Sequence, residues 1–194
     1  MNLTDAVRCF QTISKSMNYI DNKNLLHLTP IETERLKLIQ LDTCYAKDFY
    51  TEFNEDITRL RLREPFNDLN DALVFLQKSI IKNQSGTGFY LVILSKEGEF
   101  IGTVGLSNID KAEPSFVVWV KTSAQGKGYG KEAVKALYDS VQGEIDYEYL
   151  HYPVDKTNLA SCKIPRSLGG HITAEYDLKT PKGTILHCID YKIR

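Results

Sequence analysis

The sequence lacks a surplus of charge of either sign. Its 24 Lys and Arg residues stand against 25 Asp and Glu residues, which gives a formal net charge of -1 at pH 7. This balance argues against bulk electrostatic attraction to nucleic acid or to an acidic membrane surface. The chain also has no apolar run of membrane-spanning length and no signal-peptide core at its N-terminus. These absences predict a cytoplasmic protein without nucleic-acid or membrane partners.

Cysteine is scarce and scattered. The four cysteines, Cys9, Cys44, Cys162 and Cys188, form no C-x-x-C pair. Neither a disulfide framework nor a zinc site is therefore indicated, and no metal is expected. The simplest interpretation is packed or idle thiols in a reducing compartment.

The first thirty residues differ from the rest of the chain. Val7, Phe10, Ile13, Met17 and Ile20 recur every three or four positions, which predicts one amphipathic helix. Its apolar side is expected to dock on the domain or on a partner chain, and both a monomer and a homodimer remain open. We therefore divide the chain into an N-terminal helical extension (residues 1–30) and one domain (residues 31–194), which is long enough to bury a substantial core.

The domain alternates strand-like and helix-like periodicities, which predicts a mixed α/β layer fold. Strands are expected at residues 35–41, 89–94, 100–106, 116–120, 146–152, 171–178 and 184–192. One helix carries the stripe Tyr45, Ala46, Phe49 and Phe53. A second begins at an Asp68 cap and buries Ala72, Leu73, Leu76 and Ile80. Two more helices are expected over residues 131–141 and from residue 158.

A glycine-rich loop separates the fourth strand from the third helix, and it reads Gln125, Gly126, Lys127, Gly128, Tyr129, Gly130. A strand, such a loop and a helix together favour phosphate binding, because glycines let several backbone N–H groups converge at the positive end of the helix dipole. The spacing excludes the dinucleotide fingerprint G-x-G-x-x-G and the P-loop G-x-x-x-x-G-K-[ST]. A turn that uses glycine for geometry alone is the alternative.

The loop fits the pattern Q/R-x-x-G-x-G/A and so resembles the acyl-CoA-binding signature of the GNAT superfamily of N-acetyltransferases. A second segment agrees, because Asn158, Ser161 and then Leu168-Gly169 resemble the N-x-x-S/A…LG stretch of the family's next helix. The sequence around the two motifs most resembles the ribosomal-protein N-terminal acetyltransferases, the RimJ/RimL-like subgroup. The resemblance runs from about residue 33 to the C-terminus.

The resemblance implies a GNAT fold, with a central, mostly antiparallel sheet flanked by helices, to which the N-terminal helix is an addition. It also implies acetyl-CoA as cofactor. Gln125, Gly126, Lys127, Gly128, Tyr129 and Gly130 would hold its pyrophosphate. Trp119 and Val120 would offer main-chain groups to the pantetheine arm in a gap between two splayed strands, with Asn158 at the mouth of that gap.

The same resemblance suggests where acid–base chemistry would occur. Many relatives carry a tyrosine acid four residues after Ser161, where this chain has Pro165, a residue expected to disturb the helix. Ser161 is therefore the candidate acid, although its hydroxyl could instead cap the helix or bond its own backbone. Cys162 is interpreted as a packed thiol.

The candidate base is Glu113. Relatives often place a glutamate where Ser115 stands here, and Glu113 would share that strand face. His151 and a water chain are the alternatives.

The predicted function is acetyl-CoA-dependent N-acetyltransfer to a primary amine, either a protein N-terminus or a small molecule, by direct attack in a ternary complex. The alternative is a catalytically weak acyl-CoA-binding sensor or scaffold, because the usual tyrosine and glutamate are missing.

Overall fold

The computed structural model describes residues 24–194, so the helix expected over residues 7–20 lies outside the described part. The strands are β1 (Ile31–Glu32), β2 (Leu36–Gln40), β3 (Gly88–Ser95), β4 (Phe100–Ser107), β5 (Ser115–Val120), β6 (Leu150–Asp155), β7 (His171–Lys179) and β8 (Ile185–Ile193). The helices are α1 (Ala46–Glu52), α2 (Glu55–Thr58), α3 (Leu69–Gln84), α4 (Tyr129–Val141) and α5 (Leu159–Ser167). None of the helices in this part of the chain is long and apolar enough to cross a membrane.

All eight strands form one sheet in the order β1-β2-β3-β4-β5-β6-β8-β7. Neighbouring strands are antiparallel except β5 and β6, which are parallel. The mixed α/β fold class with a mostly antiparallel sheet is therefore confirmed. The consecutive strand pairs β3–β4 and β7–β8 form antiparallel hairpins.

The predicted strand over residues 146–152 begins later than expected, at Leu150. Its partner β8 ends at Ile193, which lies opposite Leu150, so the preceding residues have no strand of this pair to bond. The strand instead continues to Asp155, opposite Cys188. Local alternation of apolar residues cannot anticipate this, because the bounds of a strand depend on its partner.

Each face of the sheet carries its own hydrophobic cluster. On one face, α4 buries Ala133, Val134, Leu137 and Val141, the four residues expected from its periodicity, and α5 adds Cys162 and Ile164. On the other face, α1 and α3 pack an aromatic cluster around Trp119, whose ring lies edge-on to Phe49 and Phe53 at centroid distances of 5.3 and 5.2 Å. The sheet is thus covered on both sides.

Helix α3 begins as predicted, because the Asp68 side chain accepts a hydrogen bond from the backbone N–H of Asp71 at 2.8 Å.

Two leucines of α3 provide a matched test of the packing. We expect Leu76→Ala, at a fully buried position, to lower the free energy of unfolding by about 2–5 kcal/mol. Leu69→Ala, 50% exposed on the same helix, should change it by about 0.5 kcal/mol or less. Urea unfolding followed by Trp119 fluorescence measures both, and equal losses would contradict the assignment of the core.

Candidate active site

The site is organised by the separation of two neighbouring strands. Strands β5 and β6 are paired at one position only, Ser115 opposite His151, and diverge beyond it. Each is fully paired on its other side, β5 with β4 and β6 with β8. A cavity of about 590 Å³ occupies the resulting gap and extends from the glycine loop to helix α5.

The register of β5 determines which of its main-chain groups face this gap. Residues of an antiparallel pair turn their N–H and C=O groups alternately towards and away from the partner strand. The Val118 carbonyl accepts a hydrogen bond from Arg61 and the Val120 carbonyl accepts one from Gln125 at 3.1 Å, so both point into the gap. The gap-facing groups of β5 near the loop therefore belong to Val118 and Val120.

The prediction that Trp119 offers main-chain groups to a cofactor arm needs correction. Trp119 pairs with Thr103 of β4, and its carbonyl lies so close to β4 that a Cβ placed on Gly102 would come within 2.1 Å of it. Its main-chain groups are therefore committed to the sheet. The indole ring is buried in the aromatic cluster, and Trp119 is among the residues that line the cavity.

The glycine loop adopts a backbone that other residues rarely can. Gly126 and Gly128 have φ angles of 76° and 83°, in the left-handed region. The backbone N–H groups of the first turn of α4 donate no hydrogen bond to a capping side chain. Because the first N–H groups of a helix have no partner within the helix, they converge here as donors at its positive end.

The loop residues named from sequence do not all reach the cavity. Gln125, Gly126, Gly128, Tyr129 and Gly130 line it together with Lys131. Lys127 is exposed and does not line the cavity, although its carbonyl accepts a hydrogen bond from Arg35 at 3.0 Å. The lysine among the lining residues of this loop and helix is Lys131.

An ion pair that sequence patterns did not reveal fixes the start of α4 to the turn between β1 and β2. Arg35 Nε donates to Glu132 Oε2 at 2.7 Å, Thr33 Oγ1 donates to Glu132 Oε1 at 2.6 Å, and the Arg35 guanidinium lies over the Tyr129 ring at 4.8 Å. Burial opposes the charge on Glu132, but hydrogen bonds from Thr33 and Arg35 outweigh it and hold the pKa of this carboxyl below its ordinary value. Glu132 is therefore a charged anchor for the start of α4.

Helix α5 contributes the other predicted site residues. Asn158 caps it, because its Oδ1 accepts from the Ser161 backbone N–H at 3.1 Å, and Asn158 and Ser161 both line the cavity. The helix continues through Pro165 and ends at Ser167, so proline does not interrupt it as expected. Pro165 lies in the last turn of α5, so few residues follow it whose helical hydrogen bonds it could disturb.

The Ser161 hydroxyl has a partner that the sequence did not indicate. Its Oγ lies 3.0 Å from the hydroxyl of Tyr152 on β6. Burial raises the pKa of Tyr152 to about 12, so its hydroxyl keeps its proton at neutral pH. Ser161 lines the cavity, whereas Tyr152, only 3% exposed, lies behind it and is not a lining residue.

The candidate base Glu113 lies elsewhere. It precedes β5, at the end of the strand remote from the glycine loop, and does not line the cavity. Its carboxylate contacts His151 Nε2 at 2.8 Å and Lys192 Nζ at 3.1 Å, while His151 Nδ1 contacts Asp190 at 2.7 Å. Glu113 and His151 therefore belong to an ion-pair network that ties β5 to β6 and β8.

Cys162 is buried, with its Sγ 3.9 Å from the Asp155 carbonyl. The described residues contain no cluster suited to a metal ion.

Comparison with known proteins agrees with this geometry. The model of the acetyltransferase (GNAT) domain family matches residues 35–171, more than half of the chain. Among solved structures, the microcin C7 self-immunity acetyltransferase MccE, in complex with acetyl-CoA and AMP, aligns with a TM-score of 0.75 at 19% identity over 85% of this chain and 97% of its own. The ribosomal-protein-S5-alanine acetyltransferase of Vibrio fischeri aligns with a TM-score of 0.72 at 20% identity, over 83% of this chain and 93% of its own. The ribosomal L7/L12 acetyltransferase RimL in complex with coenzyme A aligns with a TM-score of 0.72 at 17% identity, over 84% of this chain and 96% of its own.

The chain belongs to the GNAT acetyltransferase family and has its fold, as the two sequence motifs indicated. RimL and other ribosomal-protein acetyltransferases are among its structural neighbours, in agreement with the predicted subgroup. A search of curated proteins found no match. The protein is an N-acetyltransferase, and acetyl-CoA is the cofactor of its family.

The residues present fit this cofactor. Uncapped N–H groups and Lys131 suit a pyrophosphate, and the gap-facing main-chain groups of Val118 and Val120 suit the amides of a pantetheine arm. The cavity joins the two regions in one continuous space. An extended chain with a phosphate group at one end can therefore lie along β5.

The loop can be tested with two glycines that have the same backbone strain. We expect Gly128→Asp to weaken coenzyme A binding at least ten- to hundredfold, because a carboxylate would stand where phosphate must approach, and one lost charge-assisted contact is worth about 1.5–3 kcal/mol. Gly143→Asp, at φ 77° beyond the other end of α4, should leave affinity unchanged. Calorimetry on both folded variants gives the comparison, and unchanged affinity in Gly128→Asp would refute the loop assignment.

Glu113 can be tested for a structural rather than a catalytic role. Hydrogen bonds from His151 and Lys192 hold the pKa of Glu113 below its ordinary value, so its stabilising effect is present above the unfolded-state pKa and is lost as pH falls through the folded-state pKa. We expect Glu113→Gln to lower the melting temperature at pH 7, with the difference from wild type shrinking as pH falls below about 4.3, the ordinary glutamate pKa. The kcat should stay unchanged, and a fall in kcat at constant coenzyme A affinity would restore Glu113 as a base.

Proposed function

We propose that the protein transfers the acetyl group of acetyl-CoA to a primary amine by direct attack within a ternary complex. The observation that carries this proposal is the continuity of one cavity from the uncapped start of α4, along the gap-facing edge of β5, to the Ser161 hydroxyl. Phosphate recognition, main-chain binding and a proton donor thus lie in one space. A protein N-terminus and a small-molecule amine both remain within this class of acceptor.

The chain's own groups divide the work of binding. The N–H groups of the glycine loop and of the first turn of α4 bind the pyrophosphate, with Lys131 adding positive charge. The gap-facing groups of Val118 and Val120 orient the pantetheine arm, and Asn158 lines the cavity at the start of α5. When bound, acetyl-CoA supplies an acetyl group activated as a thioester.

Ser161 is the proposed acid. Ser161 lines the cavity, and its hydroxyl would supply a proton to the departing thiolate as the amine nitrogen takes the acetyl group; solvent would take the proton that the nitrogen loses and return one to the serine. Tyr152 holds the serine hydroxyl in place from behind, with the two oxygens 3.0 Å apart. Tyr152 keeps its own proton at neutral pH because burial raises its pKa to about 12. The hydroxyl pair takes the place of the tyrosine that relatives carry where this chain has Pro165.

Turnover separates this proposal from the second candidate, an acyl-CoA sensor or scaffold, which the replacement of the usual tyrosine by Pro165 favours. Thiol release from acetyl-CoA should rise above the hydrolysis background when a panel of primary amines is added, and the acetylated amine should be detected by mass. Tight coenzyme A binding without amine-dependent release across the panel would favour the sensor instead.

The acid assignment can be tested with two serines of the same helix. We expect Ser161→Ala to lower kcat by about 10²–10⁴-fold with little change in acetyl-CoA affinity, the contribution typical of a positioned acid. Ser167→Ala removes an exposed hydroxyl that donates to the Ile164 carbonyl at 2.7 Å and lies outside the cavity, so its kcat should match wild type. An unchanged kcat in Ser161→Ala with a lower melting temperature would leave this serine a supporting role only.

A further inference from the structure

A second cavity, of about 310 Å³, adjoins the first. Helix α2, the segment after it and the turn between β7 and β8 form its walls. Three charged residues, Asp56, Arg59 and Arg61, line both cavities. They therefore stand where a molecule in the second cavity would meet the contents of the first.

The remaining charged residues of the second cavity, one lysine and two glutamates, are paired with one another. Lys182, from the β7–β8 turn, bridges Glu55 at 3.2 Å and Glu64 at 2.9 Å. By contrast, no carboxylate oxygen of the described residues lies within 4.0 Å of the Arg59 or Arg61 guanidinium. The boundary between the cavities thus carries two cations without a paired anion, beside the single carboxylate of Asp56.

Arg61 is the more informative of the two cations. It is half-buried, and its guanidinium donates to the Val118 carbonyl, a neutral acceptor at the gap between β5 and β6. A guanidinium offers five N–H donors and does not lose its charge, so a partly buried one is stabilised by an anion that accepts two parallel bonds. Carboxylate and phosphate oxygens have the matching geometry.

We propose that the second cavity receives an acceptor that carries an oxyanion, a carboxylate or a phosphate, close to its amine. Arg61 and Arg59 bind the oxyanion, and Asp56 attracts the ammonium group, which loses a proton to solvent before the amine attacks. This inference rests on the proposed function and names the substrate class for the same site. Amino acids and aminoalkyl phosphates are both of this class.

The test uses matched pairs of amines that differ in the oxyanion. One arm compares α-amino acids with their amides, and the other compares phosphoethanolamine with ethanolamine. For each pair, kcat/KM is measured in wild type and in Arg61→Gln. Because each ratio is compared between enzymes, differences in amine basicity within a pair cancel.

In at least one pair we expect Arg61→Gln to lower kcat/KM for the anionic member about ten- to hundredfold more than for the neutral member, the loss typical of one charge-assisted contact. Arg61→Lys should restore part of the difference, because the charge remains. Arg63→Gln is the matched control: its guanidinium lies 3.7 Å from Asp71 and outside both cavities, so the ratio should stay as in wild type.

The outcomes separate this inference from the function beneath it. If neutral amines are acetylated but Arg61→Gln changes both members of each pair equally, the oxyanion site is wrong and the acetyltransferase assignment stands. If no amine of either kind is acetylated while coenzyme A binds tightly, the proposed function fails and this inference fails with it. A discriminating pair identifies carboxylate or phosphate as the recognised group.

Discussion

Strands β5 and β6 are each paired along their whole length with another neighbour, β4 and β8 respectively, but with each other at one position only. A main-chain carbonyl left without a partner in a protein interior costs about 1–3 kcal/mol. Here the carbonyls of Val118 and Val120 are bonded by the side chains of Arg61 and Gln125. The gap is thus stable without a third strand, and it presents polar edges that an extended amide-containing chain can use.

The hydrogen bonds of Thr33 and Arg35 to Glu132 keep this carboxylate from competing with a phosphate at the same site. A carboxylate in the first turn of a helix favours the helix, but it would compete with a phosphate for the positive end. Arg35 and Thr33, in the turn before β2, donate hydrogen bonds to the Glu132 carboxylate. Its oxygens are therefore bonded to these residues and do not compete for the N–H groups of the loop. Arg35 also donates to the Lys127 carbonyl and so holds the loop in position before any ligand arrives. Preorganisation of this kind reduces the entropy lost on binding.

Local sequence was a good guide wherever contacts are short in sequence. The loop glycines, the Asp68 cap and the apolar stripe of α4 are all visible within a few residues. The partners that complete the site are not. Glu132 meets Arg35 across 97 positions and Val118 meets Arg61 across 57, and neither pair leaves a periodic trace. Glu113 shows the converse error, because facing the same way as Ser115 did not bring it to the cavity at the other end of β5.

The sequence by itself determined most of the elements and their order, the glycine loop and the helix that follows it, because backbone preferences and apolar periodicity act over a few residues. It did not indicate the short β1 and α2. Tertiary structure decided which strand edge remains unpaired, which residues of β5 face it, and that Tyr152 stands behind Ser161. It also brought Arg59 and Arg61 between two cavities. These features depend on register and on which elements become neighbours, and both are fixed only when the whole sheet closes its hydrogen bonds and covers its two cores.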